Sequence, residues 1–91
     1  MDYILQYTKS VRRDIKRAKK RSKDIRKLYR VLKYIRQGIP LPVQFRNHRL
    51  WQSEYKDAWE VHIEPNWLLV YQIVDNTVLL MRSGTHPDIF G

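Results

Sequence analysis

Trp59–Arg82 reads WEVHIEPNWLLVYQIVDNTVLLMR, and the period of this stretch decides the fold. Trp59, Val61 and Ile63 alternate with Glu60, His62 and Glu64, so the two acids and the histidine share one face of a strand. Pro65-Asn66 is a turn signal leading into Trp67–Val74, a strongly apolar strand. Asp75-Asn76 makes a tight turn into a hairpin partner over Val78–Arg82. Strands joined by turns this short pair antiparallel. Ser83-Gly84 is expected to break the last strand, with the segment THPDIFG following it.

Upstream of this stretch the period is helical. Thr8 is an N-cap residue, after which Val11, Ile15 and Ala18 recur at helical spacing among lysines and arginines. Ser22 is expected to cap a second helix with Ile25, Leu28, Tyr29, Leu32 and Ile35 on one stripe, stopped at Gly38 and Pro40. Tyr3–Tyr7 has strand-like composition, and Ile39–Val43 (IPLPV) is an extended connector because each residue before a proline is pushed out of the helical region. The order is an N-terminal strand, a two-helix hairpin, then a mainly antiparallel sheet of three or four strands. A helix pair covering one face of such a sheet is an α+β fold. Residues 1–91 read as a single domain with one core. The second sheet face is expected to be partly open and polar, and function is sought there.

Three Gly and four Pro beside 43% hydrophobic residues argue against disorder. The absence of cysteine excludes disulfides and thiolate chemistry and suits a reducing, cytoplasmic setting. The longest apolar run, Trp67–Tyr71, is far short of a membrane span. The opening MDYILQY does not have the pattern of a secretory signal. Residues 1–36 hold fourteen of the eighteen Lys and Arg and three of the nine acids, a net +11, whereas residues 37–91 carry a net −2. A polyanion or an acidic protein is therefore the expected partner. Lys16, Arg17, Lys19, Lys20 and Lys23 are candidate contacts to an RNA backbone. A solvated helix face is the plainer reading of the same charges.

His48, His62 and His86 are the residues best suited to chemistry. They are three unrelated surface side chains, a three-histidine metal site, or a metal-free acid–base set. No local H-x₃-H or carboxylate–histidine spacing supports a metal, so none is expected. Acid–base work suits histidine, whose ordinary pKa of about 6.5 lets one imidazole accept a proton while another donates one. RNA carries its own nucleophile in the 2′-hydroxyl, and cleavage needs a base, an acid and a cation for the phosphate. Arg82 is the candidate cation. Glu60 is a candidate base or imidazole-orienting group, or simply a solvated strand acid. Trp59, Trp67 and Tyr71 read as core, and Phe90 either pins the last segment to the sheet or stacks on a base.

FRNHRL (Phe45–Leu50), VHIEPNWLLVY (Val61–Tyr71) and RSGTHPDIFG (Arg82–Gly91) together resemble the YafQ branch of the RelE/ParE toxin superfamily, in order and in spacing, over essentially the whole chain. The resemblance implies the toxin of a bacterial type II toxin–antitoxin system with a RelE-like microbial RNase architecture. Such a toxin is a ribosome-dependent endoribonuclease that cuts translated mRNA without a cofactor. It implies a cognate antitoxin that wraps the toxin and represses the shared operon, so that operator DNA is met only through that complex. By position the catalytic histidines fall on His48, His62 and His86, the C-terminal aromatic on Phe90, and the arginine before G-T-H on Arg82. Glu60 stands where relatives carry aspartate, and keeps the charge on a longer arm. Asn66 also replaces an aspartate; it cannot act as a base but can hydrogen-bond substrate. Two rivals remain: a ParE-like, non-enzymatic gyrase inhibitor, which has no use for a histidine set, and a basic RNA- or ribosome-binding module.

Overall fold

A computed structural model describes residues 2–51, 54, 55 and 57–91. Thr8 separates strand β1 (Ile4–Tyr7) from helix α1 (Lys9–Lys20). Its hydroxyl accepts the Val11 N–H at 3.0 Å and donates to the Met81 carbonyl at 2.9 Å, capping the helix and fastening it to the sheet. Helix α2 (Ile25–Gln37) is capped by Asp24, whose Oδ1 accepts the Arg26 N–H at 3.1 Å, and not by Ser22. Ser22 instead takes a left-handed conformation (φ 60°), and its N–H and that of Lys23 return to the Lys19 and Ala18 carbonyls to close α1. The buried stripe of α2 is Leu28, Val31, Leu32 and Ile35; Val31 takes the place expected of Tyr29, which is exposed. Gly38 ends the helix in the left-handed region at φ 68°.

The connector after Gly38 leads through a short 3-10 helix over Val43–Phe45 into β2 (His48–Arg49), a two-residue strand with no sequence period to announce it. β3 (Trp59–Glu64), β4 (Trp67–Val74) and β5 (Thr77–Gly84) follow with the expected turns. The sheet order is β1-β5-β4-β3-β2, with β1 parallel to β5 and every other pair antiparallel. The fold is α+β, as the pattern predicts. Val61, Trp67, Leu69, Tyr71, Val78 and Leu80 form the sheet half of the main core, against Val11, Leu28, Val31, Leu32 and Ile35 of the helices. Each large side chain buried there contributes about 1.5–3 kcal/mol. Among the described residues, no helix is long and apolar enough to cross a membrane.

The second face departs from expectation in two respects. β5 does not break at Ser83-Gly84. Ser83 is buried, its Oγ accepting from Trp67 Nε1 at 3.1 Å and donating to the Leu68 carbonyl at 2.8 Å. The break comes at Thr85, which caps helix α3 (His86–Phe90) through a reciprocal capping box with Asp88. Nor is this face simply open: Ile89 of α3 packs on Ala58, Leu68 and Val70, with Leu50, Tyr55, Met81 and Phe90 around it. Gly84 lets the chain turn back this tightly. It sits at φ 150°, and a Cβ there would lie 2.8 Å from Arg17 Nη2 and from the Asp88 side chain.

Candidate active site

Sheet register brings three predicted residues together. His48 pairs with Glu60 across β2 and β3, and His62 follows Glu60 by two residues on the same face. The Nε2 atoms of both imidazoles lie 3.4 Å from one carboxylate oxygen, Glu60 Oε1, and the ring centroids are 6.1 Å apart. The Glu60 residue is only 3% exposed, and its second oxygen, Oε2, has no hydrogen-bond partner among the described residues. An unsatisfied buried acceptor costs roughly 1–3 kcal/mol, and such a cost is characteristic of a functional site. His48 is half exposed while His62 is mostly covered, so the carboxylate lies beneath two rings of different access.

The loop before β2 sets the His48 ring. Arg46 adopts a left-handed conformation (φ 47°) at the end of the 3-10 helix, an arrangement uncommon for a residue with a Cβ. Its carbonyl accepts from His48 Nδ1 at 2.7 Å. Because a carbonyl only accepts, Nδ1 carries a proton, and Nε2 can then donate to Glu60 only when it is protonated as well; in the neutral ring Nε2 is the acceptor. Next in the chain, Asn47 Oδ1 accepts the Tyr71 hydroxyl at 2.7 Å. Burial pushes that phenol up to about 12, the Asn47 bond opposing, so it stays a donor throughout the neutral range. His62 Nδ1 makes only a long contact, 3.4 Å, to the Pro65 carbonyl. Beside it Gln44, Phe45, Arg46 and Pro65 help line a cleft of about 330 Å³, within the range of small-ligand sites.

A second group stands on the same face at β5 and α3. Val70 pairs with both Glu60 and Arg82, which places Arg82 in the Glu60 row two strands away, about 10 Å by the spacing of strands. Arg82 Nε and Nη2 donate to Asp14 at 2.8 and 3.3 Å, Nη2 also to the Asp88 carbonyl at 3.0 Å, and Nη1 reaches the Tyr55 hydroxyl at 3.4 Å. The Asp14 hydrogen bonds hold this guanidinium further above its ordinary range, burial opposing. The Phe90 ring stands edge-on to Tyr55 at 6.0 Å and lies 5.2 Å from the exposed His86 ring. Arg21 clamps α3 through Asp88 at 2.6 Å, with Arg17 at 3.7 Å. The Arg21 hydrogen bond first, and the Thr85 N–H next, hold the Asp88 carboxyl well below the usual carboxylate range, against burial.

Among the described residues, His48, Glu60 and His62 are the set that could hold a metal ion, one ligand atom from each lying within 4.8 Å of the others. Two imidazoles and a carboxylate suit a divalent transition metal. With no metal the same atoms can pass a proton between two rings over a fixed charge.

A family model described as the bacterial toxin of type II toxin–antitoxin system, YafQ, matches residues 3–91. The chain belongs to this toxin family. The mRNA interferase toxin YafQ of Escherichia coli strain K12 is 38% identical over 92 residues, covering 100% of this chain and 95% of the relative. The E. coli DinJ–YafQ toxin–antitoxin complex matches at TM-score 0.90 and 33% identity, over 100% of both chains. A metal-bound toxin from Helicobacter pylori matches at TM-score 0.89 and 33% identity, over 97% of this chain and 99% of that one.

In this toxin, then, strand pairing gathers His48, Glu60 and His62, while Arg82, His86 and Phe90 form a neighbouring group that does not join the trio. Asn66 sits in the turn between β3 and β4 and shares a small cleft with Arg17, Lys23 and Gly84. The basic candidates divide as well. Lys16, Lys19 and Lys20 have no ion-pair partner among the described residues, whereas Arg17 is spent on Asp14 and the Ser83 carbonyl and Lys23 on Glu64 at 3.0 Å. Sequence reasoning missed Asp14 and Tyr55. Asp14 left a signal, an acid at a core position of a helix between Val11 and Ala18. Tyr55 left none.

Proposed function

We propose that this toxin is a cytoplasmic, ribosome-dependent endoribonuclease that cuts translated mRNA by metal-independent acid–base chemistry, and that a cognate antitoxin holds it inactive. The observation that carries the reading is the convergence of the His48 and His62 Nε2 atoms on one buried carboxylate oxygen. One imidazole takes the proton of the RNA 2′-hydroxyl, and the 2′-oxygen attacks phosphorus. The bond to the 5′-oxygen breaks as an imidazolium protonates that leaving group, giving a 2′,3′-cyclic phosphate and a 5′-hydroxyl. Glu60 pairs with whichever ring carries the proton on Nε2 and stabilises it when charged. Arg82 offers its remaining Nη1 hydrogen to the phosphate, His86 supplies a further acid or base, and Phe90 stacks on an unpaired base. Asn66 hydrogen-bonds the message. Lys16, Lys19 and Lys20, helped by Arg17 and Lys23, hold ribosomal RNA by charge without reading its sequence. The antitoxin partner is supported by the E. coli complex, and operator DNA is contacted through that assembly alone.

A metal-dependent reading is favoured by one observation, the unpartnered Glu60 Oε2 within a three-donor set, in a chain resembling a metal-bound toxin. On the acid–base reading a bound metal would occupy the lone pairs that cleavage needs, and so would inhibit. The deciding experiment treats the toxin with EDTA, removes the chelator, and adds the toxin to purified ribosomes programmed with mRNA. Cleaved message on ribosomes and intact message without them is the expected result. Activity that disappears and returns only with a particular metal would establish the metal reading. Intact message together with blocked gyrase supercoiling would favour the ParE-like alternative, and ribosome binding without cleavage the plain binding module.

A further inference from the structure

We propose that Asp14, on the helix opposite the cleft face, is the positioning residue that fixes the Arg82 guanidinium for the scissile phosphate. This inference rests on the reading of Arg82 given above. The Asp14 side chain is 3% exposed, and three of its four hydrogen bonds are directed at one end of β5. Oδ2 accepts Arg82 Nε at 2.8 Å and the Ser83 N–H at 2.9 Å, while Oδ1 accepts Arg17 Nη2 at 2.9 Å and Arg82 Nη2 at 3.3 Å. β1 stops pairing with β5 at Leu80, so the Ser83 N–H lies beyond the last strand partner and Asp14 takes the partner's place. That edge-capping duty needs only one acceptor. The Arg82 bonds go further, since they lock the guanidinium plane from two directions with the Asp88 carbonyl completing the grip. Nε and Nη2 are consumed, and Nη1 alone keeps an N–H without a partner among the described residues. A cation held this way need not be ordered again when the phosphate arrives.

The test compares Asp14→Asn, Arg82→Gln and the double variant of the full chain in mRNA cleavage on programmed ribosomes, together with the Arg82 Nε–H signal in ¹H–¹⁵N spectra. Asp14→Asn keeps the shape and the edge-capping oxygen but loses the charge. We expect kcat to fall about ten-fold or more with KM for the ribosome unchanged, since small misplacements of a reacting group cost up to about 10²-fold. The Arg82 Nε–H signal should shift or exchange away, and the double variant should cut no slower than Arg82→Gln. Full kcat in a folded Asp14→Asn protein, an unmoved Nε–H signal, or multiplied losses in the double variant would each overturn the inference. If Arg82→Gln cuts as fast as the parent, the phosphate role of Arg82 fails and takes this inference with it. If Arg82→Gln is slow and Asp14→Asn is not, the inference alone fails. Should Asp14→Asn not fold, Asp14→Glu replaces it, moving the charge by one methylene. A slowed kcat with unchanged KM then supports the role, and an unchanged kcat ends it.

Discussion

His48, Glu60 and His62 stand on strand register, whereas Arg82, His86 and Phe90 stand on the end of one strand and a five-residue helix that ion pairs hold in place. On the first side the backbone is held by antiparallel strand pairing, and among the described residues two buried polar groups are left wanting, Glu60 Oε2 and Arg49 Nε. On the second side the carboxylates are saturated: Asp14 and Asp88 between them engage Arg17, Arg21 and Arg82. A rigid scaffold can carry an unsatisfied buried carboxylate without rearranging to relieve it. A helix too short to be stable alone must instead be secured by caps and charges. The two halves of the candidate site should therefore fail in different ways when altered.

The largest effect belongs to the register side. His62→Gln should lower the cleavage rate by about 10²–10⁴-fold on ribosomes programmed with mRNA, the usual weight of one acid–base group, with the melting temperature nearly unchanged. Glu60→Gln sharpens the contrast. It should slow cleavage as well, yet leave stability equal or higher, because it removes a buried charge whose second oxygen has no partner. A Glu60→Gln protein that melts far below the parent would show that the carboxylate holds the sheet rather than the chemistry.

How much of this was legible in the sequence follows the same division. The period-two run set Glu60 and His62 on one face, and the turns at Pro65-Asn66 and Asp75-Asn76 fixed the register of β3, β4 and β5. Burial of Glu60 could not be read, because its cover comes from His48 on a two-residue strand, and two residues carry no period. Ser83-Gly84 looked like a strand break because small polar residues usually end strands. Here Ser83 is kept in the strand by Asp14, Trp67 and Leu68, contacts from 15 to 69 positions away that no local pattern encodes. The long charge run on α1 also hid a distinction, since Arg17 is spent internally while its neighbour Lys16, about 100° around the helix, is exposed.

On the clamped side, Gly84→Ala should cost stability before it costs chemistry. Its Cβ would meet the Asp88 side chain and Arg17 Nη2 at 2.8 Å, in a backbone conformation that side chains rarely adopt. Crowding and strain together predict a loss of roughly 2–4 kcal/mol, measured by denaturant unfolding, with cleavage falling as α3 is displaced. Unchanged stability would mean that α3 yields freely and that the clamp is loose. Phe90 is a finer probe of the same helix. It is half-buried against Tyr55, so stacking on a base requires a ring that packing alone does not. Phe90→Trp should keep most of the activity and Phe90→Leu lose roughly 5–100-fold, from a stacking contribution of about 1–3 kcal/mol, both with near-parental melting. A fully active Phe90→Leu protein would reduce the ring to an anchor.

The smallest effect is the pH dependence of the clamp. The Asp88 carboxyl is held well below its ordinary value, by the Arg21 hydrogen bond first and the Thr85 N–H second. A carboxyl whose folded value is depressed stabilises the fold fully above its unfolded value, near pH 4, and that stability is lost as pH falls toward the folded value. Asp88→Asn should therefore melt a few degrees below the parent between pH 5 and 7, with the gap narrowing steadily below pH 4 as the parent's carboxyl is protonated. Arg21 is largely solvated, so strong salt should narrow the gap at neutral pH as well. Glu64, depressed by Lys27 and then Lys23, titrates in the same direction and in both proteins alike, so it cancels in the difference. A gap that persisted unchanged to low pH would assign the anchoring of α3 to the burial of Ile89 and the Thr85 cap. The second side of the site would then rest on burial and backbone caps rather than on ion pairs, and its contrast with the strand-paired first side would narrow.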